Sequence, residues 1–332
     1  MNVAGWVWGL TIVGLIGLVA FDYFCHVRKA HVPTLREAAV WSAGYIGVAV
    51  LFGVGMFVLG GSGPGSEYFA GYVTEKALSV DNLFVFLVIM ASFRVPPADQ
   101  QKVLLFGIAF ALIARTGFIF AGAALINTFA WVFYFFGLIL LLTAANMLRS
   151  EGGEQTDKAD NAVIRLVRKV IHTSDDYDGD KLFTTVQGRK VMTPMLLVIA
   201  AIAGTDVLFA LDSVPAIFGL TRDTYIVFTA TAFSLLGLRQ LYFLIDGLLD
   251  RLVYLSHGLS LILGFIGVKL ILHALHEDGI HVIEIGTGAS LLVIIGVLAV
   301  TVVASLRSSP SVRSAPDRSR STDPDPVPLF RS

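Results

Sequence analysis

Charged residues are scarce in this sequence. Of 332 residues, 15% are charged and 55% are hydrophobic, whereas a soluble globular domain carries roughly a quarter charged residues. The shortage argues against a soluble protein and excludes a disordered chain, which needs the opposite balance. Cysteine is all but missing. Cys25 stands alone, so a disulfide-rich secreted domain is excluded and no thiolate cluster exists to hold a soft metal. Neither sign of charge is in excess: the formal net charge is −1, which says little, because membrane proteins sort charge by side rather than by total; a nucleic-acid partner is not expected.

What the chain has in abundance is long apolar runs. Mean hydropathy is +0.76, and the apolar residues fall in blocks of about 18–25, the length that crosses a ~30 Å hydrocarbon core as a helix. Nine such blocks are present: Val3–Phe21, Ala38–Leu59, Phe69–Ala91, Val103–Leu125, Trp131–Leu148, Met195–Leu220, Tyr225–Leu248, Val253–Leu275 and Ile285–Leu306. Backbone inside lipid must satisfy its own hydrogen bonds, and these blocks lack period-two alternation, so they read as helices. The predicted fold is all-α, a polytopic membrane protein with nine transmembrane helices. The first block has no basic residue before it and no small-residue cleavage site after it, which predicts a retained helix rather than a signal peptide. The membrane domain is expected over residues 1–306, with a cytoplasmic loop at 149–192 inside it and a disordered tail at 307–332.

Lysine and arginine set the orientation. Arg28, Lys29 and Arg36 follow the first span, Arg94 and Lys102 the third, and Arg251 the seventh. The loop after the fifth span and the tail are also rich in them. Loops on one side hold nineteen basic residues and those on the other hold Arg222 alone. This predicts an outside N-terminus and a cytoplasmic C-terminus. Within the loop, the stretch from Lys181 to Val191 reads as two short strands around Gln187-Gly188.

Charge inside the spans is costly, about 2.5–3.5 kcal/mol for each central residue on insertion scales. Yet Glu75, Lys76 and Asp81 lie in the third span, Arg115 in the fourth, Asp206 and Asp212 in the sixth, Arg239 and Asp246 in the seventh, and Lys269 in the eighth. Lys76 and Asp250 read as snorkelling to an interface. Asp246 is expected to pair with Arg239 or Arg251, Asp22 with Arg28 or Lys29, and Glu284 to be solvated. For Glu75, Asp81, Asp206 and Asp212 the plain alternative is a set of structural ion pairs with Arg115 and Arg239. Intramembrane ionisable residues are functional by default, which favours a site.

The two acidic spans match each other. EKALSVDNLFVF (Glu75–Phe86) and DVLFALDSVPAI (Asp206–Ile217) each carry an acid, five residues, an acid and a small polar residue. A span with a buried arginine follows each, Arg115 and Arg239, and then a Gly/Leu-rich span in which TAANML (Thr143–Leu148) corresponds to IGVKLI (Ile266–Ile271). Spans 3–5 and 6–8 therefore read as two copies of one three-helix unit. An odd number of helices makes the second copy cross in the opposite sense, the inverted repeat of secondary transporters.

Residues six apart on a helix lie about 120° apart around its axis. Glu75, Ser79 and Asn82 share a face that excludes Asp81. Asp206, Ala210 and Ser213 share one that excludes Asp212. Both acids of a pair reach one cavity only if the helix unwinds or kinks, and Pro215 marks a place where a hydrogen bond is lost. Four carboxylates, Asn82, Ser79 and Ser213 are all oxygen donors, and they suit a hard cation such as Mn²⁺, Ca²⁺ or Mg²⁺.

The strings EKALSVDNLFVFLVI (Glu75–Ile89), TPMLLVIAAIAGTDVLFALDSVPAIFGLT (Thr193–Thr221) and LLGLRQLYFLIDGLLDRL (Leu235–Leu252) resemble the TerC/Alx family of bacterial membrane proteins, a branch of the lysine-exporter superfamily. The likeness runs from the first span to about Leu306. It implies manganese efflux across the bacterial inner membrane, a link to tellurium resistance, and metal coordination by Glu75, Asp81, Asp206 and Asp212. Arg115, Arg239 and Lys269 would support that site. The chain departs from the family pattern at Asn146, where a lysine matching Lys269 is expected, and at Gly204-Thr205, where another acid is expected before Asp206.

The divalent ion is then substrate rather than resident cofactor, and protons are the natural counter-ion because carboxylates that release metal can take them up. An enzyme is not expected: intramembrane aspartyl proteases need a GxGD segment, and Ala203-Gly204-Thr205-Asp206 does not match it. Two other readings stand beside export of a divalent ion. One is a non-transporting membrane partner, tied to stress or tellurium resistance, with structural acids. The other is an exporter of a different cation or an amino acid. DDYDGD (Asp175–Asp180) reads as a solvated turn, since Thr185 stands where a calcium loop needs glutamate. His273, His276, Glu277, Asp278 and His281 read equally as an ordinary polar loop or as a landing place for exported metal.

Overall fold

A computed structural model describes residues 3–27, 32–129, 131–149, 181–186, 189–245, 254–283 and 285–308. Almost all of them are helical. The helices are α1 (Gly5–Asp22), continued by a π-helical turn Tyr23–Val27, α2 (Leu35–Gly60), α3 (Ser62–Ser92), α4 (Gln100–Thr128), α5 (Val132–Arg149), α6 (Pro194–Phe218), α7 (Thr224–Leu235), α8 (Leu238–Ile245), α9 (Leu255–Glu277) and α10 (Thr287–Ser308). Between α5 and α6 lies the hairpin, β1 (Phe183–Val186) antiparallel to β2 (Arg189–Met192), with Phe183 opposite Met192.

Helix starts carry local signals. Thr34 Oγ1 accepts from Glu37 N at the head of α2, half of a capping box. Asp223 Oδ1 accepts from Tyr225 N and Ile226 N at the head of α7, and Pro194 opens α6, where its missing N–H costs nothing. Among the described residues, eight helical stretches are long and apolar enough to span a membrane: Gly5–Cys25, Leu35–Gly60, Gln100–Ile126, Val132–Arg149, Pro194–Phe218, Thr224–Leu244, Leu255–Glu277 and Thr287–Ser305. The third predicted span is present as α3, a helix of 31 residues. Glu67, Glu75, Lys76 and Asp81 make it too polar to qualify on composition, and it lies against α2, α6, α7 and α10.

The exterior is apolar where lipid would touch it: Leu10, Leu59, Ile113, Leu142 and Leu292 are exposed. Every residue from Tyr225 to Leu235 of α7 is buried, so α7 is the innermost helix. The main packing pairs are α5 with α9, α4 with α6, and α3 with α7. At the α5–α9 crossing the backbones meet, and a Cβ on Gly137 would come within 3.0 Å of the Gly267 carbonyl oxygen.

The break in helix geometry is not where the acid spacing predicts it. α3 and α6 run unbroken through Asp81 and Asp212. Pro215 sits in the last turn of α6, and the chain beyond it still closes its bonds, with Gly219 N donating to Pro215 O at 2.9 Å. The interruption lies in the seventh predicted span. Leu236 is extended (φ −60°, ψ 132°), and Gly237 has φ 78°. A Cβ on Gly237 would come 2.8 Å from Tyr45 Cβ, so both backbone and space require glycine there.

Candidate ion site

Arg115 of α4 is fully buried and joins three helices. Its Nε donates to Asp206 Oδ2 at 2.7 Å and its Nη2 to Asp206 Oδ1 at 3.0 Å, a bidentate pair with α6. Its Nη1 donates to Glu75 Oε1 on α3 and to Ser213 Oγ on α6, the latter at 3.0 Å. Two carboxylates and one guanidinium leave the cluster with one net negative charge if all are ionised. A charged pair this deep persists only when its hydrogen bonds are well made, and the fork geometry of arginine meets that need.

The cluster is not saturated. Glu75 Oε2 and Ser79 Oγ are buried with no hydrogen-bond partner among the described residues. Ser79 lies one turn beyond Glu75, and Asn82, one turn further, is also buried. The angular argument holds where the side chains are described. Asp206 and Ser213 both meet Arg115, whereas Asp212, six residues from Asp206, is half-buried and turns to α5, accepting from Thr143 Oγ1 at 2.9 Å. The side chain of Asp81 lies outside the described residues. Among the described residues, no three His, Cys, Asp or Glu side chains gather at one point. The oxygen donors that do converge are Glu75, Asp206 and Ser213, with Ser79 and Asn82 on the face that Glu75 presents.

Arg239 does not join them. It is buried, but its Nε and Nη2 meet Asp22 of α1 at 3.1 and 2.6 Å. Its Nη1 meets Gln101 Oε1, and Gln240 Nε2 reaches the same aspartate at 2.8 Å. The partner predicted for Asp22 was Arg28 or Lys29; those two lie outside the described residues, and the ion pair present is with Arg239. Lys76 does not snorkel either. Its Nζ donates to the carbonyls of Ser234 at 2.9 Å and Leu236 at 3.5 Å, inside the protein.

Lys269 lines a cavity of 480 Å³ at the end of the bundle that carries the α6–α7 connection, together with Glu67, Thr221, Arg222 and His273. Glu67 accepts from Thr221 Oγ1. The histidine cluster nearby is knit into a polar clamp: Arg222 meets Glu277 at 2.6 Å and also His273, and Tyr134 donates to Asp278 at 2.7 Å. Asp246, Asp250, Glu284, DDYDGD and the tail from 309 onward lie outside the described residues.

Gln101, Gln240, Thr143 and Glu67 are site-forming residues that the sequence reading missed. Gln240 adjoins Arg239 and was within reach of a closer reading. Gln101, Thr143 and Glu67 carry no local signal, because each is defined by a partner distant in sequence.

A family model described as the integral membrane protein TerC family matches residues 61–313. An uncharacterized membrane protein of Mycobacterium tuberculosis (strain H37Rv) is 59% identical over 321 residues, covering 93% of this chain and 81% of that protein. The thylakoid membrane protein TERC of Arabidopsis thaliana is 42% identical over 266 residues, covering 80% of this chain and 67% of the plant protein. The Alx protein of Salmonella typhi, whose name suggests a membrane-bound redox modulator, is 35% identical over 314 residues, covering 91% and 95%. No solved structure matches the chain.

Proposed function

The chain belongs to the TerC family of integral membrane proteins, and on that premise we propose that it exports a hard divalent cation, Mn²⁺ foremost, from the cytoplasm. The observation that carries this reading is the buried carboxylate pair. Glu75 and Asp206 come from α3 and α6, face each other across Arg115, and leave Glu75 Oε2 and Ser79 Oγ without partners among the described residues. A hard cation seeks such oxygen donors and needs anionic charge to offset its lost hydration.

Arg115 supplies the logic of a carrier. Before a cation arrives, the guanidinium neutralises one of the two charges and holds both carboxylates in place. A divalent ion then competes with it for the same oxygens. Proton antiport is the coupling proposed, because the two carboxylates can take up protons when the ion leaves. No cofactor and no catalytic step enter this reading.

The packing supports nine spans built on an inverted repeat. Align Glu75 with Asp206, Arg115 with Arg239 and Asn146 with Lys269. The approach of Gly71 to Ala230, 3.2 Å from a Cβ built on the glycine, then corresponds to that of Gly107 to Ile202, at 2.7 Å, within one residue. The approach of Gly264 to Ala144 corresponds to that of Gly267 to Leu141. The pairing of α3 with α7 likewise exchanges with that of α6 with α4. In this reading the lysine and arginine bias argues for an outside N-terminus and a cytoplasmic C-terminus, in a bacterial inner membrane.

The test is Mn²⁺ flux in proteoliposomes, with and without a pH gradient, for the parent, Glu75→Gln and Asp206→Asn. Each substitution keeps the shape and removes one buried charge, so the variants should fold and lose at least ten-fold in flux. Parental flux in both would sink the site. One observation favours a second reading, in which the protein is a non-transporting membrane partner: Arg115 already binds both acids, with three hydrogen bonds to them and one to Ser213. That reading predicts no flux from the parent and reduced stability in both variants.

A further inference from the structure

The interruption at Gly237 lies inside the bundle, and a charged side chain ends on it. α7 stops at Leu235 after 12 residues, about 18 Å of helix at 1.5 Å per residue. The last carbonyls of a helix lack intrahelical partners and carry the negative end of its dipole. Here Ser234 and Leu235 are buried. Lys76 Nζ takes the carbonyls of Ser234 and Leu236 at 2.9 and 3.5 Å.

Buried hydroxyls are found on both helices that meet here. Thr231 Oγ1 and Ser234 Oγ on α7, and Thr74 Oγ1 and Ser79 Oγ on α3, have no hydrogen-bond partner among the described residues. All four residues are at most 1% exposed. Carbonyls at the end of a half-helix are the donors on which broken-helix transporters seat a monovalent cation. In this chain an ammonium group is seated there instead.

We propose that the broken end of α7 is an alkali-cation site permanently filled by the tethered ammonium of Lys76. The parent then needs no alkali cation to hold the break together. Removing the ammonium while leaving its space opens the carbonyls of Ser234 and Leu236 to Na⁺ or K⁺. An ordinary hydrogen-bond anchor behaves otherwise, because no small ion replaces it. This inference does not depend on which ion the protein exports; Ser79 is the one residue shared with the proposed ion site.

The experiment is thermal unfolding of the full chain in detergent, in NaCl, KCl or choline chloride at equal ionic strength. Lys76→Ala leaves the space open, and Lys76→Met fills it with an uncharged chain. In Lys76→Ala, Tm should rise by about 3 °C or more between 0 and 150 mM NaCl or KCl relative to choline. The parent and Lys76→Met should show no difference among the three salts. A Lys76→Ala protein that responds alike to all three overturns the proposal. Should Lys76→Ala fail to survive purification without alkali salt, recovery in the three salts is the readout: recovery in NaCl or KCl alone supports the site, and equal recovery or equal loss overturns it.

Discussion

In the proposed inverted repeat Arg115 and Arg239 occupy matching places in two three-helix units, yet they are held by different things. Arg115 lies between acids of both units, Glu75 and Asp206. Arg239 lies against Asp22 of α1, which belongs to neither unit and is also held by Gln240, and against Gln101. The difference traces to one glycine. α4 passes through Arg115 without interruption, whereas the span that carries Arg239 breaks at Gly237, two residues earlier. The break gives Arg239 a new helix axis, on which it meets Asp22 and not Glu75. Lys76 takes up the end that the break leaves behind. On the proposed repeat, the sequence sets where the arginines enter the bundle, while backbone geometry decides which anions they meet.

The largest effect should come from removing Arg115. Arg115→Ala leaves Glu75 and Asp206 buried and facing each other without a counter-charge, at a cost of about 3–5 kcal/mol. Most of the protein should fail to reach a monodisperse state in size-exclusion chromatography. Adding Glu75→Gln and Asp206→Asn to Arg115→Ala should restore much of the lost Tm, because the uncompensated charge is then gone. If the triple variant is no better than the single, the arginine acts through packing and the charge argument fails.

Arg239→Ala should cost less, about 2 kcal/mol, because Asp22 lies at the end of α1 and has Gln240 as a second donor. Mn²⁺ flux per folded molecule should be unchanged, since Arg239 touches neither Glu75 nor Asp206. Flux lost beyond the folded fraction would bring Arg239 into the ion site and erase the contrast with Arg115.

Gly237→Ala tests the cause of that contrast. A side chain there meets both an unfavourable backbone angle and Tyr45, and the expected loss is about 1–2 kcal/mol, read as a lower Tm. A neutral outcome would mean that the break does not depend on glycine.

Much of this was legible in the sequence, for reasons particular to each element. Apolar runs of membrane length mark their own helices, and the Gln187-Gly188 pair placed the β1–β2 hairpin. The angle between Asp206 and Asp212 follows from helix geometry alone, so their separation could be computed before any fold was known. The break could not be found this way. Gly237 stands in LLGLRQ, and neither its φ of 78° nor the close approach of Tyr45, far away in sequence, is marked by its neighbours. Pro215 drew the expectation to the wrong helix because proline is a visible breaker, but one lost bond in a last turn does not interrupt a helix. The partners of Arg239 and Lys76 were hidden for the same reason: each is a tertiary contact, one across 217 residues and the other across 158.

Asp212 gives the smallest and most discriminating effect. It occupies the second acidic position of its unit, and the family resemblance implies that it holds metal. In this structure it is half-buried, away from Arg115, with a hydrogen bond from Thr143 Oγ1. An asparagine there keeps an oxygen for Thr143 and sheds a charge that burial disfavours. Asp212→Asn should therefore change stability by less than about 1 kcal/mol. If the central site is Glu75 with Asp206, flux should fall less than in Glu75→Gln or Asp206→Asn, because the ion still finds its two carboxylates. A loss as complete as that of Asp206→Asn, at parental Tm, would place Asp212 on the ion during the transport cycle. Since its position on α6 is about 120° from Asp206, that outcome would require α6 to unwind or rotate between the two states.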